Sequence, residues 1–383
     1  MRAHLFLRGL AREHRVTLVA GSRPFPDETE AALAPVREFI EDAVLLRFRP
    51  ARDPGLLWRR LRALMLGRAR PCAEWAEPTA KMRSGLARLH ARDFDRAHVF
   101  RLYMLPVSRA VLGDRIVPFD LDLDDWESEA RRARGESAEA EAWADLERRW
   151  LPRASRVVVC SEPDALGVTR RYGLDGVEVI ENAVSVPEVQ AEASDVVPPQ
   201  LLFVGSLGHL PNQEAVTFLV REFLPACRAQ GLPPFSLVVA GGGAPGALRR
   251  LLRSEPQVIF LDQPSSVLPL YLRAKAALAP VRSGGGTRIK ALEAFAQGRP
   301  LVATAAAMAG LGVESDVHYL RAETLEDWVR VVSDLLSTSA RSSEVADAAF
   351  AWVRTRGAES VIAKVAALAS IQAMATDSSS QGL

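Results

Sequence analysis

Short apolar runs alternate along this chain with longer stretches in which apolar residues recur every three or four positions. In the first half the runs are Val16–Ala20, Ala43–Leu46, His98–Phe100, Ile116–Asp120, Arg156–Cys160 and Val177–Ile180. In the second half they are Leu201–Val204, Ser236–Ala240, Val258–Leu261, Ala276–Ala279 and Pro300–Ala303. Brief apolar runs of this kind are strands covered on both faces, and helical segments between them make the sheets parallel. The pattern predicts an α/β chain with two doubly wound, Rossmann-like domains. The stretch 186–200 has no period and is rich in Val, Pro, Ala and Glu, so it reads as a linker. The expected division is a first domain over 1–185, a second over 201–345, a helical stretch over 346–371 that packs back on the first domain, and a disordered Ser-rich tail over 372–383. Two such domains would face a cleft at their strand ends, the usual ligand position in open parallel sheets.

Bulk properties narrow the partners. The 383 residues, 48% hydrophobic, are enough for two cores, and a net charge of +1 argues against general attraction to nucleic acid. The only lysines are Lys81, Lys275, Lys290 and Lys364. Cys72, Cys160 and Cys227 have neither metal-ligand nor disulfide spacing, which fits a reducing cytoplasm. The start has no apolar leader, and no run approaches the length of a membrane span.

Chemistry concentrates in Pro280–Thr304, PVRSGGGTRIKALEAFAQGRPLVAT. It reads as a strand end, a glycine loop (Gly284, Gly285, Gly286, then Thr287), a helix, a Gly298-Arg299-Pro300 stop and a strand. Glycines let a backbone approach a ligand closely, and the start of a helix attracts anions through free amides and its dipole. Arg288 and Lys290 add two cations in the same turn. Ile289, Leu292 and Ala296 form the apolar face, Leu292 is also expected among the donor-binding residues, and Glu293 sits early on the helix. A sugar nucleotide suits this arrangement, with its diphosphate at the helix start and a carboxylate accepting ribose hydroxyls.

This segment resembles the donor site of retaining GT-B glycosyltransferases of family GT4, in the branch carrying a G-G-G-T-R-x-K run. The resemblance implies that Glu293 holds the nucleotide ribose. The family's second glutamate falls at Gly285 here. Leu201–Pro211, LLFVGSLGHLP, is similar to the strand and loop that open the nucleotide domain, with Gly205, Ser206 and His209 beside the diphosphate. Many relatives carry an Arg and a Lys in that loop; this chain has neither, so Arg288 and Lys290 are expected to carry the phosphate charge. The loop with Gly310 and Leu311 matches one that approaches the transferred sugar. Phe119–Ser128, FDLDLDDWES, and Val159–Ala183 are similar to the acceptor domain, which makes Asp124 and Asp125 catalytic candidates on the acceptor side. The implied reaction is retaining transfer of a hexosyl group from a nucleoside diphosphate sugar to a sugar, lipid-linked or small-molecule acceptor. No metal and no cofactor beyond the donor is expected. A GT-B first domain should open with a strand, whereas this chain begins inside the following helix, RAHLFLRGLAREH, and runs into VTLVA. The expectation is that the central first strand is missing and that the true start lies about thirty residues upstream.

Other signals compete. Gly241-Gly242-Gly243-Ala244-Pro245-Gly246 fits G-x-G-x-x-G between a strand and a helix, and Asp262 lies 21 residues after Gly241. That leaves an NAD(P)-dependent oxidoreductase as an alternative, with a tight strand-to-helix turn as the plainer reading. A non-catalytic GT-B nucleotide-binding or partner subunit is a further alternative. Strand alternation puts Asp120, Asp122 and Asp124 on one face, where they would hold a cation or pair with Arg131 and Arg132. His98 reads as a satisfied core or edge histidine. Residues 47–70 hold eight Arg against Asp53 alone, interleaved with Leu and Trp, which fits either peripheral contact with the inner face of a membrane or a domain-packing helix.

Overall fold

A computed structural model describes residues 2–22, 33–47, 65, 78, 80–113, 115–133, 135–192, 195–282, 288–337 and 340–380. The loop glycines Gly284, Gly285 and Gly286, with Thr287, lie outside the described residues, as does most of 47–70. The chain falls into two compact units. Unit 1 comprises Met1–Asn182 with Val361–Leu383; unit 2 comprises Ala183–Gly284 with Arg288–Ser360.

Unit 2 holds one parallel sheet of β7 (Gln200–Val204), β8 (Ser236–Ala240), β9 (Val258–Leu261), β10 (Ala276–Ala279), β11 (Leu301–Ala303) and β12 (Leu320–Arg321). Their order across the sheet is β12-β11-β10-β7-β8-β9. Successive strand residues serve opposite faces. Leu201, Phe203, Leu237, Val239 and Leu278 enter one core cluster, with Phe223 and Trp328. Leu202, Val238, Ala277 and Ala279 enter the other, with Phe295 and Tyr271. This two-sided burial explains why the strands read as uninterrupted apolar runs. β12 has two residues and gave no run to read.

Unit 1 holds β1 (Thr17–Ser22), β2 (Asp42–Arg47), β3 (Ala97–Phe100), β4 (Phe119–Asp122), β5 (Arg156–Val159) and β6 (Val177–Val179). They form two parallel sheets, β1-β2 and β3-β4-β5-β6. The resemblance calls for a strand between β1 and β3, and among the described residues none pairs with either on that side. β4 begins three residues later than the apolar run predicts, after Pro118, which has no amide to give a ladder. His98 is not satisfied: it stacks on Phe6 at 5.0 Å, its Nε2 has no partner, and burial lowers its pKa to about 4.

Two helices, Ala340–Arg354 and Ala358–Ser380, occupy the region read as one helix over 346–371. Ala340–Arg354 belongs to unit 2, and the second helix from Val361 onward to unit 1. The backbone stays helical to Ser380, where the Ser-rich composition predicts a disordered tail. This last helix packs on the first helix, Arg2–Ala11, at Gly9: a Cβ there would overlap Val365.

The centre of unit 1 is an ion pair. Arg2 and Asp122 are 4% and 0% exposed in their side chains. Arg2 donates from Nε and Nη2 to the two Asp122 oxygens at 2.9 and 3.0 Å, and from Nη1 to the Ile180 carbonyl at 2.5 Å. Removing one partner of a buried pair strands the other charge, at a cost of about 3–5 kcal/mol, whereas replacing both is often neutral. Arg2→Met should therefore destabilise the chain by about 3–5 kcal/mol in urea unfolding, and Arg2→Met with Asp122→Leu should recover most of that loss. A single-variant loss below about 1 kcal/mol would contradict this role.

Candidate functional site

The strand order of unit 2 has a topological switch point between β7 and β10. β7 comes first, β8 and β9 build outward on one side, and β10, β11 and β12 build on the other. The connections leaving β7 and β10 run in opposite directions, so their loops part at the carboxyl ends of these adjacent strands, and ligands of open α/β sheets bind there. The loop after β7 holds Gly205, Ser206 and His209. The helix Ile289–Ala296 follows β10, with Arg288 at its N-cap and Lys290, Leu292 and Glu293 in its first turns. The next strand outward, β11, is followed by the short helix Ala305–Met308 and by Gly310, whose φ of 82° is left-handed, and Leu311. The candidates of the second half therefore sit at the carboxyl ends of three consecutive strands.

Lys290 bridges the two central loops. Its Nζ donates to Asn212 Oδ1 at 2.8 Å and lies 4.7 Å from the centre of the Phe203 ring. Asn212 Nδ2 donates in turn to the Ser206 carbonyl at 2.9 Å. Burial of the ammonium outweighs the nearby Glu293 charge and lowers the Lys290 pKa to about 8. Glu293 is half-buried and accepts a 3.0 Å bond from Tyr271 Oη. Its pKa is raised by burial, against the lowering effects of Tyr271 and Lys290. Leu292 is 2% exposed and packs into the core rather than the crevice. Arg288 caps the helix through its backbone carbonyl, which accepts from Ala291 and Leu292. His209 is exposed and occupies the N-cap of the helix Leu210–Phe218 without a side-chain cap bond. Sequence reasoning missed Asn212 and Tyr271, because a lone Asn or Tyr has no spacing that marks it.

The Gly241–Gly246 turn is given to packing. A Cβ on Gly241 would overlap the Gly205 carbonyl oxygen, one on Gly242 would overlap Gln263, and one on Gly243 would stand 3.0 Å from the Gly208 nitrogen. The Leu207 amide donates to the Gly242 carbonyl at 2.7 Å. These glycines allow one loop to lie against another. Asp262, the candidate ribose acid of a dinucleotide site, pairs with Arg249 at 2.9 Å. The turn also follows the second strand of the unit, β8, which lies on the far side of β7 from β10.

In unit 1 the acidic segment lies at the end of β4, and its carboxylates are met by arginines from other elements. Asp120 pairs with Arg96 at 2.8 Å and Asp122 with Arg2. Asp124 lies beyond the strand with a left-handed φ of 57°, and its Oδ1 stands 3.9 Å from Arg2 Nε. Arg101, at φ 67°, bonds Asp124, Asp125 at 3.3 Å and Glu127 at 3.2 Å. Two oxygens, Asp124 Oδ1 and Asp125 Oδ1, are buried without a hydrogen-bond partner. Burial, followed by the Asp124 charge, raises Asp125 to about 6 against the opposing pull of Arg101. The segment is pinned by buried Glu147, which accepts from Trp126 Nε1 at 3.2 Å, the Ser128 amide at 3.0 Å and Tyr172 Oη at 2.5 Å. Arginine therefore compensates these acids, and among the described residues no cluster of three His, Cys, Asp or Glu side chains is placed to hold a metal ion.

Residues 198–338 match the sequence model of the family described as glycosyl transferases group 1. No curated protein matches the chain. Among solved structures, it is similar to sucrose-phosphate synthase from Thermosynechococcus elongatus, with 17% identity, 97% of this chain and 92% of that chain covered, and a TM-score of 0.69. It is also similar to Anabaena HepE in complex with UDP and glucose, with 16% identity, coverage of 96% and 95%, and a TM-score of 0.66. For Staphylococcus aureus TarM, in a complex that includes UDP, identity is 11% and the TM-score 0.59; the match covers 74% of this chain and 58% of TarM. The fold is GT-B, with two Rossmann-like domains.

The Lys290 environment fixes a pH dependence. The ammonium is the form that attracts an anion, so anion affinity at the crevice should hold below pH 8 and fall as pH rises through about 8. Titration with inorganic pyrophosphate between pH 6.5 and 9.5 reads this directly. Lys290→Met should lower the affinity roughly tenfold or more at pH 7 and flatten the profile above it. A wild-type profile flat through pH 9 would contradict the assignment.

Proposed function

We propose that this chain, whose second unit carries a glycosyl transferases group 1 domain, transfers a hexosyl group with retention from a nucleoside diphosphate sugar to a sugar, lipid-linked or small-molecule acceptor. The observation that carries this reading is the placement of Lys290, bonded to Asn212 across the β7–β10 boundary, in the first turn of a helix whose N-cap residue is Arg288. A leaving diphosphate gains negative charge as the glycosidic bond breaks. Fixed cations and oriented amides stabilise that charge more than the ground state, which is how such a site accelerates the reaction without a strong nucleophile. Glu293, held by Tyr271, accepts the ribose hydroxyls. The loop Gly205–His209 lies along the diphosphate, and the backbone at Gly310 and Leu311 faces the transferred sugar. UDP in the HepE and TarM structures supports a nucleoside diphosphate as ligand.

The acceptor is assigned to unit 1 at Asp124 and Asp125. Asp124 Oδ1 and Asp125 Oδ1, which accept no hydrogen bond within the protein, are acceptors for hydroxyl donors, and Asp125, with its pKa near 6, is poised to take a proton at neutral pH. The packing role of the Gly241–Gly246 turn weighs against nicotinamide chemistry.

A thermal-shift panel of UDP, GDP, TDP and ADP beside NAD and NADP tests the donor reading. One nucleoside diphosphate, at a hundred times its Kd, should stabilise the chain by about 2.7 kcal/mol. Arg288→Ala with Lys290→Ala should abolish that shift. A shift with NAD or NADP alone would overturn the proposal; nucleotide binding without donor turnover would indicate a non-catalytic relative. Separately, Asp125→Asn should leave the nucleotide shift intact while lowering transfer by roughly 10²-fold or more, read by nucleoside diphosphate release. Unchanged transfer would remove Asp125 from the mechanism.

A further inference from the structure

We infer that Asn212 is a positioning residue that locks the loop after β7 to Lys290 and so fixes the ammonium for the donor diphosphate. The inference rests on the proposed donor site and adds a residue that the G-G-G-T-R-x-K resemblance does not mark.

The side-chain amide of Asn212 has two ends, and both are committed. Oδ1 accepts from Lys290 Nζ at 2.8 Å, and Nδ2 donates to the Ser206 carbonyl at 2.9 Å. An amide flip would set donor against donor at Lys290, so the two bonds fix the orientation together. The backbone holds Asn212 as well: its amide donates to the His209 carbonyl at 3.1 Å in the first turn of Leu210–Phe218. Gly205 leaves the room, since a Cβ there would stand 3.0 to 3.2 Å from the Asn212 amide atoms.

Lys290 has three N–H donors and a long flexible stem. One N–H is spent on Asn212. The ring of Phe203 lies under the ammonium and favours its charge. The remaining capacity is thereby directed rather than free to sample solvent. β7 presents the aromatic ring of Phe203 and the helix Leu210–Phe218 the neutral amide of Asn212, Glu293 lies on the same helix as Lys290, and Arg288 stands two residues before it. A carboxylate in place of the amide would hold the Lys290 proton to higher pH and cancel part of the charge offered to phosphate. Asn supplies an acceptor without a charge, which keeps the cation both placed and available.

The test measures affinity for UDP, GDP, TDP, ADP and inorganic pyrophosphate from pH 6.5 to 9.5 in wild type, Asn212→Ala, Asn212→Asp and Lys290→Met, with melting temperature recorded for each. Asn212→Ala should weaken diphosphate and pyrophosphate binding about tenfold at pH 7, as expected for one charge-assisted bond. Asn212→Asp should move the upper pH midpoint of binding upward by about one unit or more. Should Asn212→Ala fail to fold, the isosteric Asn212→Asp carries the test. If Lys290→Met weakens binding and both Asn212 variants keep wild-type affinity and midpoint, the inference is overturned and the donor site stands. If Lys290→Met binds as wild type does, the donor reading fails and this inference fails with it.

Discussion

The β7–β10 boundary is the constraint on which unit 2 depends. A parallel sheet that grows outward in both directions from its first strand has one place where neighbouring loops must part. Close packing fills the rest of the sheet surface: apolar residues alternate between two cores along each strand, and the Gly241–Gly243 turn is pressed against the loop after β7. At the carboxyl ends of β7 and β10 stand the helix starts at His209 and Arg288 and the half-buried Lys290. A partly desolvated cation beside a helix start is suited to an anion.

Unit 1 manages charge differently. Its β4 segment carries acids that a sequence reader would pool into one cluster, yet each is met by an arginine from another element: Arg96 for Asp120, Arg2 for Asp122 and Arg101 for Asp124. Buried carboxylates need such partners to remain ionised. Asp124 Oδ1 and Asp125 Oδ1 still accept no hydrogen bond, and they lie by two non-glycine residues at positive φ, Arg101 and Asp124. Backbone strain and unmet acceptors coincide at one strand end, and that coincidence directs the acceptor proposal there.

The sheets were legible because strands buried on both faces must be apolar throughout. The helix after β10 was legible because glycine, cation and carboxylate positions fall in a fixed spacing. What could not be read were partnerships across long sequence separations. Arg2 and Asp122 lie 120 residues apart, and Lys290 and Asn212 lie 78 apart. Neither pair leaves a periodic trace. Strand alternation ends two residues before Asp124, yet Arg2 reaches both Asp122 and Asp124, at 2.9 and 3.9 Å. His98 was expected to be satisfied, and its Nε2 is not. Of the donor glycine loop only the flanks are described, so Gly284, Gly285, Gly286 and Thr287 remain expectations drawn from the resemblance.

The central claim is that a nucleoside diphosphate occupies the β7–β10 crevice of unit 2. Hydrogen–deuterium exchange of the chain with and without saturating UDP, GDP, TDP or ADP tests it most directly. The account predicts slowed exchange for one nucleotide in peptides covering 205–213 and 288–294, with 241–246 unchanged. Protection confined to 241–246, seen with NAD and absent with every nucleoside diphosphate, would contradict it.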